Sequence, residues 1–174
     1  MTQSSPDKFE TLVVECREKN LPITIHNASK RHALTLFKNL FQAAIVNTEP
    51  VKIVSGNLDD DFYNDLDEDL KKCLDKDISV EVFALNHRDL QSNKFAQTLI
   101  THKNGTFNQF PIDEKVQSPH FILVGENKYR AETDHVQAKA IASFNNSSVG
   151  ETLSQLFSEL KEQFERAHSS PLAL

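Results

Sequence analysis

One stretch of the sequence combines a histidine with nearby cationic side chains, residue types that can act as a nucleophile or hold an anion. The segment SPHFILVGENKYRAE, residues 118–132, alternates in the manner of a β-hairpin with its turn at residues 125–127. The first strand begins at His120, and the second carries Lys128 and Arg130 on one face. An imidazole can attack phosphorus, and cations can hold phosphate oxygens. The segment therefore predicts either a binding or catalytic site or an ordinary solvent-facing hairpin.

Three roles are open for His120. It can be a strand-start residue that hydrogen-bonds to backbone, a ligand-binding group, or a nucleophile. A nucleophilic imidazole that attacks a phosphodiester needs a nearby cation, because negative charge must be stabilised in the transition state. It also needs a partner that fixes its tautomer. The residues that surround His120 therefore decide between these roles.

The elements around the hairpin alternate between amphipathic helices and short strands. Apolar spacing predicts helices over residues 6–19, 29–45, 59–75 and from 147 onward, with another amphipathic segment near residue 95. The other predicted strands are LPITIH (21–26), VKIVS (51–55), ISVEVFAL (78–85), GTFNQFPI (105–112) and AKAIASFN (138–145). Strand–helix–strand repeats imply parallel pairing with right-handed crossovers, to which the hairpin adds antiparallel strands. We predict one α/β domain over residues 1–174, with short flexible tails and a mixed, mainly parallel sheet that has helices on both faces.

The element order and the hairpin residues resemble a single catalytic module of the phospholipase D superfamily. Members of that family carry the signature H-x-K-x4-D, on a strand and the turn that follows it. Here His120 matches the histidine, Ile122 stands where the lysine belongs, and Asn127 stands where the aspartate belongs. The resemblance covers about residues 29–165 and predicts a phospholipase D-like fold.

The resemblance continues after the hairpin, where the family has a strand that ends in G-S-x-N. In ASFN, residues 142–145, Ser143 and Asn145 match and Ala142 replaces the glycine. The resemblance implies a histidine that forms a phosphohistidine, two modules that face each other in one chain or across a homodimer, and no metal. It predicts His120 as the catalytic residue if the chain is active. The predicted binding residues are Asn127, Lys128, Arg130, Ser143 and Asn145.

The two altered motif positions determine the favoured function. Ile122 cannot stabilise developing negative charge, and the loss of one such donor lowers a rate on the order of 10²–10³. Asn127 brings no negative charge to the histidine. We therefore predict a non-catalytic binding or regulatory domain, a homodimer, with a protein partner or a phosphorylated ligand in its cleft. The alternative is a metal-independent phosphodiesterase or nuclease, with His120 as nucleophile and Arg130 or Lys128 in place of the lysine.

The charge distribution indicates a different kind of partner. The chain has a formal net charge of -6 and no basic run, so nucleic acid is predicted to be a disfavoured partner. The segment over residues 57–77 is the most acidic, and its carboxylates fit a solvated face or a cation site. A third hypothesis is an interaction protein, similar to immunity or antitoxin proteins, whose acidic helix 59–75 binds a basic partner through Asp65, Asp67 and Asp69.

Other chemistry has little support in the sequence. The six other histidines lack HxH and HxxxH spacing, and four glycines leave little room for a phosphate loop, so no metal or cofactor is predicted. Cys16 and Cys73 are predicted to be buried free thiols in a reducing compartment. No signal peptide and no window of about 18 apolar residues is visible. We therefore expect a cytoplasmic protein that does not enter a membrane.

Overall fold

A computed structural model describes residues 7–137 and 139–169. Its strands are β1 (Ile25–Asn27), β2 (Val51–Ser55), β3 (Val80–Ala84), β4 (Gly105–Gln109), β5 (Phe121–Val124), β6 (Lys128–Asp134) and β7 (Lys139–Ser143). In this part of the chain the seven strands form one sheet in the order β1-β7-β6-β5-β2-β3-β4. The predicted tails lie largely outside the described residues. All predicted strands are present, although the first covers only three residues, Ile25–Asn27.

The sheet is mixed, as predicted, but the prediction that it is mainly parallel is wrong. Only β2 with β3 and β3 with β4 pair in parallel among the described strands. β5 runs antiparallel to β2, and the pairs β5–β6, β6–β7 and β7–β1 are antiparallel as well. The hairpin β5–β6 accounts for one antiparallel pair, which was predicted. The difference comes from the pairs β2–β5, β6–β7 and β7–β1, because local sequence patterns do not show which strands β5 and β7 lie beside.

Helices cover both faces of the sheet, as predicted. They are α1 (Lys8–Glu18), α2 (Lys30–Asn47), α3 (Asp60–Tyr63), α4 (Asp67–Asp75), α5 (Lys94–Thr101) and α6 (Ser147–Ser169). Residues of α1, α2, α4 and α5 share one apolar cluster with Ile122 and Val124 of β5. Residues of α6 share the other cluster with Phe121 and Leu123. The four residues of β5 thus alternate between two cores, which explains why this strand is apolar throughout.

The acidic segment does not form the single helix predicted over residues 59–75. It forms α3, a 3-10 turn (Asn64–Leu66) and then α4. Asp67 is buried, its carboxylate accepts a hydrogen bond from the Thr98 hydroxyl at 2.5 Å, and it pairs with Lys71 at 2.7 Å. Asp67 therefore helps to join α4 to α5, and it is not available to an exposed acidic interface of the kind predicted.

Both cysteines are buried free thiols, as predicted. Burial is the main reason that the pKa of the Cys73 thiol rises to about 12, so this thiol stays protonated and unreactive at neutral pH. Across the described residues, none of the helices combines the length and the apolar character that a membrane span requires.

Tyr63 gives the protein an expected sensitivity to alkaline pH. Burial raises the pKa of its phenol from 10.0 to about 12. Between these values the unfolded chain loses the phenolic proton and the folded chain keeps it, so stability present below pH 10 should be lost as the pH rises toward 12. The loss should be roughly 2–3 kcal/mol. Urea unfolding at pH 9 and pH 11 should show a smaller decline for Tyr63→Phe than for the native chain, and equal declines would contradict the assignment.

Candidate functional site

A cleft of about 1040 Å³ opens at the end of the sheet where the parallel strands β2 and β3 finish. Its walls include residues 55–57 at the end of β2, residues 85–88 after β3, residues 116–121 at and before the start of β5, and the first turn of α2. The volume is that of a small-molecule site. The carboxyl ends of parallel strands are a common location for such sites in α/β proteins.

His120 lies immediately before β5 and lines this cleft. Its Nδ1 is 3.2 Å from Oε2 of Glu132, and its carbonyl oxygen accepts a hydrogen bond from the Glu132 amide at 2.9 Å. The backbone of Gly56 lies close to the other side of the His120 ring. A Cβ added to Gly56 would lie 3.0 Å from Nε2 of His120. With its proton on Nδ1, held by Glu132, the imidazole keeps a lone pair on Nε2 for a ligand.

Glu132 links three charged or titratable groups. Its Oε2 contacts Nδ1 of His120 and, at 2.9 Å, Nδ1 of His135, while its Oε1 is 3.7 Å from the Arg130 guanidinium. Burial raises the pKa of this carboxyl, but hydrogen bonds with the two histidines and the charge of Arg130 outweigh burial and lower the pKa to about 2. Glu132 is therefore an ionised carboxylate across the physiological range.

Arg130 is a buried cation beside the altered motif position. It pairs with Ile122 in the antiparallel register of β5 and β6, so its side chain leaves the same face of the sheet. Its Nε donates to Oδ1 of Asn27 at 3.2 Å, and its guanidinium lies 5.9 Å from the centre of the Phe37 ring. Arg130 lines the cleft although it is only 4% exposed. Arg130 and His120 therefore line the same cleft.

Strand β6 supplies both groups that the motif comparison found missing. Arg130 brings a cation beside Ile122, and Glu132 brings the carboxylate partner of His120 that Asn127 cannot provide. Sequence reasoning missed Glu132 as this partner, yet the hairpin contains the signal. The turn is centred on Glu126, so residues at the same number of positions before and after Glu126 lie opposite each other on the two strands. This register pairs position 120 with 132 and position 122 with 130.

The amino end of α2 is a second source of positive potential at the cleft. Ser29 caps the helix by accepting a hydrogen bond from the His32 amide at 3.1 Å, and Lys30 and Ala33 line the cleft. This helix has 18 residues and no acidic residue in its first turn. Its dipole and free amide groups favour an anion at this end.

The cleft also carries negative charge. Its lining includes four carboxylates, Asp59, Asp60, Asp61 and Glu132, against three Lys or Arg residues, Lys30, Arg88 and Arg130, which leaves one negative charge in excess when the histidines are neutral. Asp60 accepts hydrogen bonds from Ser92 and Asn93, both at 2.8 Å, and pairs with Arg88. These hydrogen bonds lower the pKa of Asp60, whose role is to join the loops after β2 and β3.

The other predicted binding residues lie at the opposite end of the hairpin and do not line the cleft. Asn127 donates to Oδ1 of Asn145 at 3.2 Å, and the Asn145 amide donates to the Ser143 hydroxyl at 3.3 Å. Lys128 is buried, with its Nζ 2.9 Å from Glu49 and 3.0 Å from Oδ1 of Asn127. His120 lies before β5, and the turn that carries Asn127 and Lys128 lies after it, so the four residues of β5 separate these side chains from His120. The structure therefore does not bring Asn127, Lys128, Ser143 and Asn145 together with His120.

Replacing Lys128 with methionine tests whether the turn end of the hairpin contributes to stability without contributing to ligand binding in the cleft. The change leaves Glu49 without its cation, so the free energy of unfolding should fall by about 1–3 kcal/mol. Binding of inorganic phosphate should not change, because Lys128 does not line the cleft. Chemical denaturation and calorimetric titration measure the two quantities, and a loss of phosphate binding by a folded Lys128→Met protein would contradict this assignment.

No protein-family model and no curated protein matches the sequence. Among solved structures, the fold is similar to that of TrmBL2, an archaeal chromatin protein described as having a novel mode of DNA binding. The TM-score is 0.61, with 13% sequence identity, over 88% of this chain and 58% of that chain. This chain therefore shares its fold with part of TrmBL2 and corresponds to little more than half of its length.

The structural similarity corrects one expectation. The prediction that nucleic acid is a disfavoured partner is wrong, because it rested on the acidic net charge of the chain, and a protein with a similar fold binds DNA. Net charge sums over the whole chain, whereas contact with phosphate depends on local cations and their geometry. The acidic composition is therefore no ground for excluding a phosphodiester ligand.

Proposed function

We propose that the chain is a non-catalytic binding or regulatory domain, phospholipase D-like in fold, whose cleft takes a small phosphate-bearing ligand. The observation that carries this proposal is the buried Arg130 on the wall of the cleft that also holds His120. A guanidinium in a fixed orientation offers parallel N–H donors that match the spacing of phosphate oxygens.

Three further features support a ligand of this class. The amino end of α2 opens to the cleft, and Nε2 of His120 is left available by the contact of Nδ1 with Glu132. The volume of about 1040 Å³ accommodates a nucleotide-sized molecule. DNA binding by TrmBL2 is a reason to include a phosphodiester among the probes.

The position of Glu132 favours binding over catalysis. Its ionised carboxylate contacts both His120 and Arg130. A transition state for attack on phosphorus gathers negative charge, and rate enhancement requires a positive environment prepared for that charge. A carboxylate between the candidate nucleophile and the candidate cation works against this stabilisation, whereas a ground-state ligand can be held by Arg130 and the α2 amides.

Calorimetric titration in EDTA tests the proposal with inorganic phosphate and a thymidine dinucleotide as probes. The native chain should bind, and Arg130→Lys should weaken binding about tenfold or more, because lysine keeps the charge but lacks the planar fork. The matched control is Arg31→Lys, since the Arg31 side chain is exposed and lies outside the cleft. Equal affinity for native and Arg130→Lys proteins, or no binding by the native chain, would overturn the proposal.

A metal-independent phosphodiesterase is the second candidate. The observation that favours it is the contact of 3.2 Å between His120 and Glu132, which resembles the orienting partner of a nucleophilic or general-base histidine. Cleavage of a chromogenic phosphodiester in EDTA that disappears in His120→Ala would establish this function in place of the first. The homodimer stays a prediction, and sedimentation equilibrium measures it directly.

A further inference from the structure

We propose that His120, Glu132 and His135 form a binding site for a divalent first-row transition metal ion. His120 lies immediately before β5, Glu132 lies in β6, and His135 lies in the turn after β6. One ligand atom from each lies within 4.8 Å of the others. The two Nδ1 atoms are 3.2 and 2.9 Å from the same carboxylate oxygen, Oε2 of Glu132.

These separations suit a metal ion after a small side-chain adjustment. Imidazole nitrogens and carboxylate oxygens bind Zn²⁺ at about 2.0–2.2 Å, which places neighbouring ligands of a tetrahedral site roughly 3.3 Å apart. Two histidines and one carboxylate are a ligand set used by zinc and by other divalent transition metals. Three protein ligands leave at least one coordination position open, and His120, Glu132 and His135 all line the cleft.

The groups around the triad support this assignment. Arg130 lies 3.7 Å from Oε1 of Glu132 and contacts the oxygen that the histidines do not, so it orients the carboxylate and leaves Oε2 for the metal. The rings of His120 and His135 meet edge to face with their centres 4.5 Å apart, and the Nδ1 atom of each contacts Glu132. The lining of the cleft has one excess negative charge, so a cation is not repelled overall.

Metal binding would change the chemistry of the cleft in two ways. An ion of charge +2 would convert the lining from one excess negative charge to one excess positive charge, and phosphate affinity should rise. Coordination of a metal ion through Nδ1 of His120 would also displace the proton from Nδ1. The proton of the neutral ring would then be on Nε2, and without a free lone pair Nε2 could not act as a nucleophile. The metal site itself does not depend on the proposed phosphate ligand.

The metal site is tested by equilibrium dialysis of EDTA-treated, metal-free protein against Zn²⁺. The native chain should bind one Zn²⁺, and His135→Ala should lower the affinity by roughly 100-fold or more, since one of three ligands is removed. His135 is exposed, so this variant should fold, which circular dichroism checks. The matched control is His26→Ala, an exposed histidine outside the cleft, and it should bind as the native chain does.

A second readout comes from Co²⁺, whose visible absorption should appear with the native chain and be absent with Glu132→Gln. No Zn²⁺ binding by the native chain, or equal affinity in His135→Ala, would overturn the inference and leave the triad as two imidazoles hydrogen-bonded to one carboxylate. Phosphate titration in EDTA is a separate measurement, so the metal site and the proposed phosphate site fail independently.

Discussion

Replacing Arg130 with alanine is expected to lower the free energy of unfolding by about 3–5 kcal/mol. Arg130 is 4% exposed, and its removal leaves the ionised Glu132 carboxylate without a nearby permanent cation. Oδ1 of Asn27 loses the N–H donor at 3.2 Å as well. The packing of the guanidinium over the Phe37 ring is also lost. The largest part of the effect should come from the uncompensated charge rather than from the lost contacts.

Urea unfolding followed by circular dichroism measures this effect. The matched control is Arg31→Ala, because the Arg31 side chain is 71% exposed and pairs with a partly exposed carboxylate of Asp7. Its effect should stay within about 0.5–1 kcal/mol. If Arg130→Ala were as stable as this control, Arg130 would not be the buried, paired cation on which the proposed function depends.

The second large effect is expected from Gly150→Ala, which should destabilise the protein by about 3 kcal/mol. Gly150 lies in α6 against the turn of the hairpin, and an added Cβ would lie 1.8 Å from the Glu126 carbonyl oxygen. The Asn146 amide donates to the Asn127 carbonyl oxygen at 2.8 Å, so the start of α6 is already bound to this turn. The methyl group must therefore push the helix and the turn apart.

Alanine is the better helix former, by about 1 kcal/mol, so local propensity alone predicts the opposite sign. Ser148→Ala is the control, because this residue is exposed in the same turn of α6 and its substitution should change stability by less than about 0.5 kcal/mol. Thermal and chemical unfolding of both variants decide the question. A Gly150→Ala protein that is more stable than the native chain would mean that α6 does not pack closely on the turn.

The hairpin and the helix on each face could be predicted because they depend on local patterns. Alternation and the turn at residues 125–127 identify β5 and β6, and apolar spacing identifies α2 and α6. The mainly antiparallel pairing of the sheet could not be predicted in this way, because it depends on where β5 and β7 insert. Strands β1 and β7 pair although they are more than 100 residues apart, and the spacing of apolar residues within each strand does not show which strand it pairs with.

The candidate site was predictable only in part. His120 and Arg130 were identified by residue type, and both line the cleft. Glu132 and His135 were missed, because their roles follow from cross-strand register and from a turn that folds back on β5. Lys128 was predicted as a binding residue because it shares a strand face with Arg130. In the structure it is buried and paired with Glu49 at the turn end of the hairpin, away from the cleft.

The proposed function requires a phosphate-bearing ligand to bind in the cleft beside Arg130 and His120. The most direct test is a titration of the ¹⁵N-labelled, EDTA-treated protein with inorganic phosphate, followed by amide chemical shifts. The largest changes should occur at Gly56, Asn86 and His120 and in the first turn of α2, with small changes at Gly125–Lys128. Shift changes concentrated at the Gly125–Lys128 turn, or none at all at saturating phosphate, would show that phosphate does not bind in this cleft.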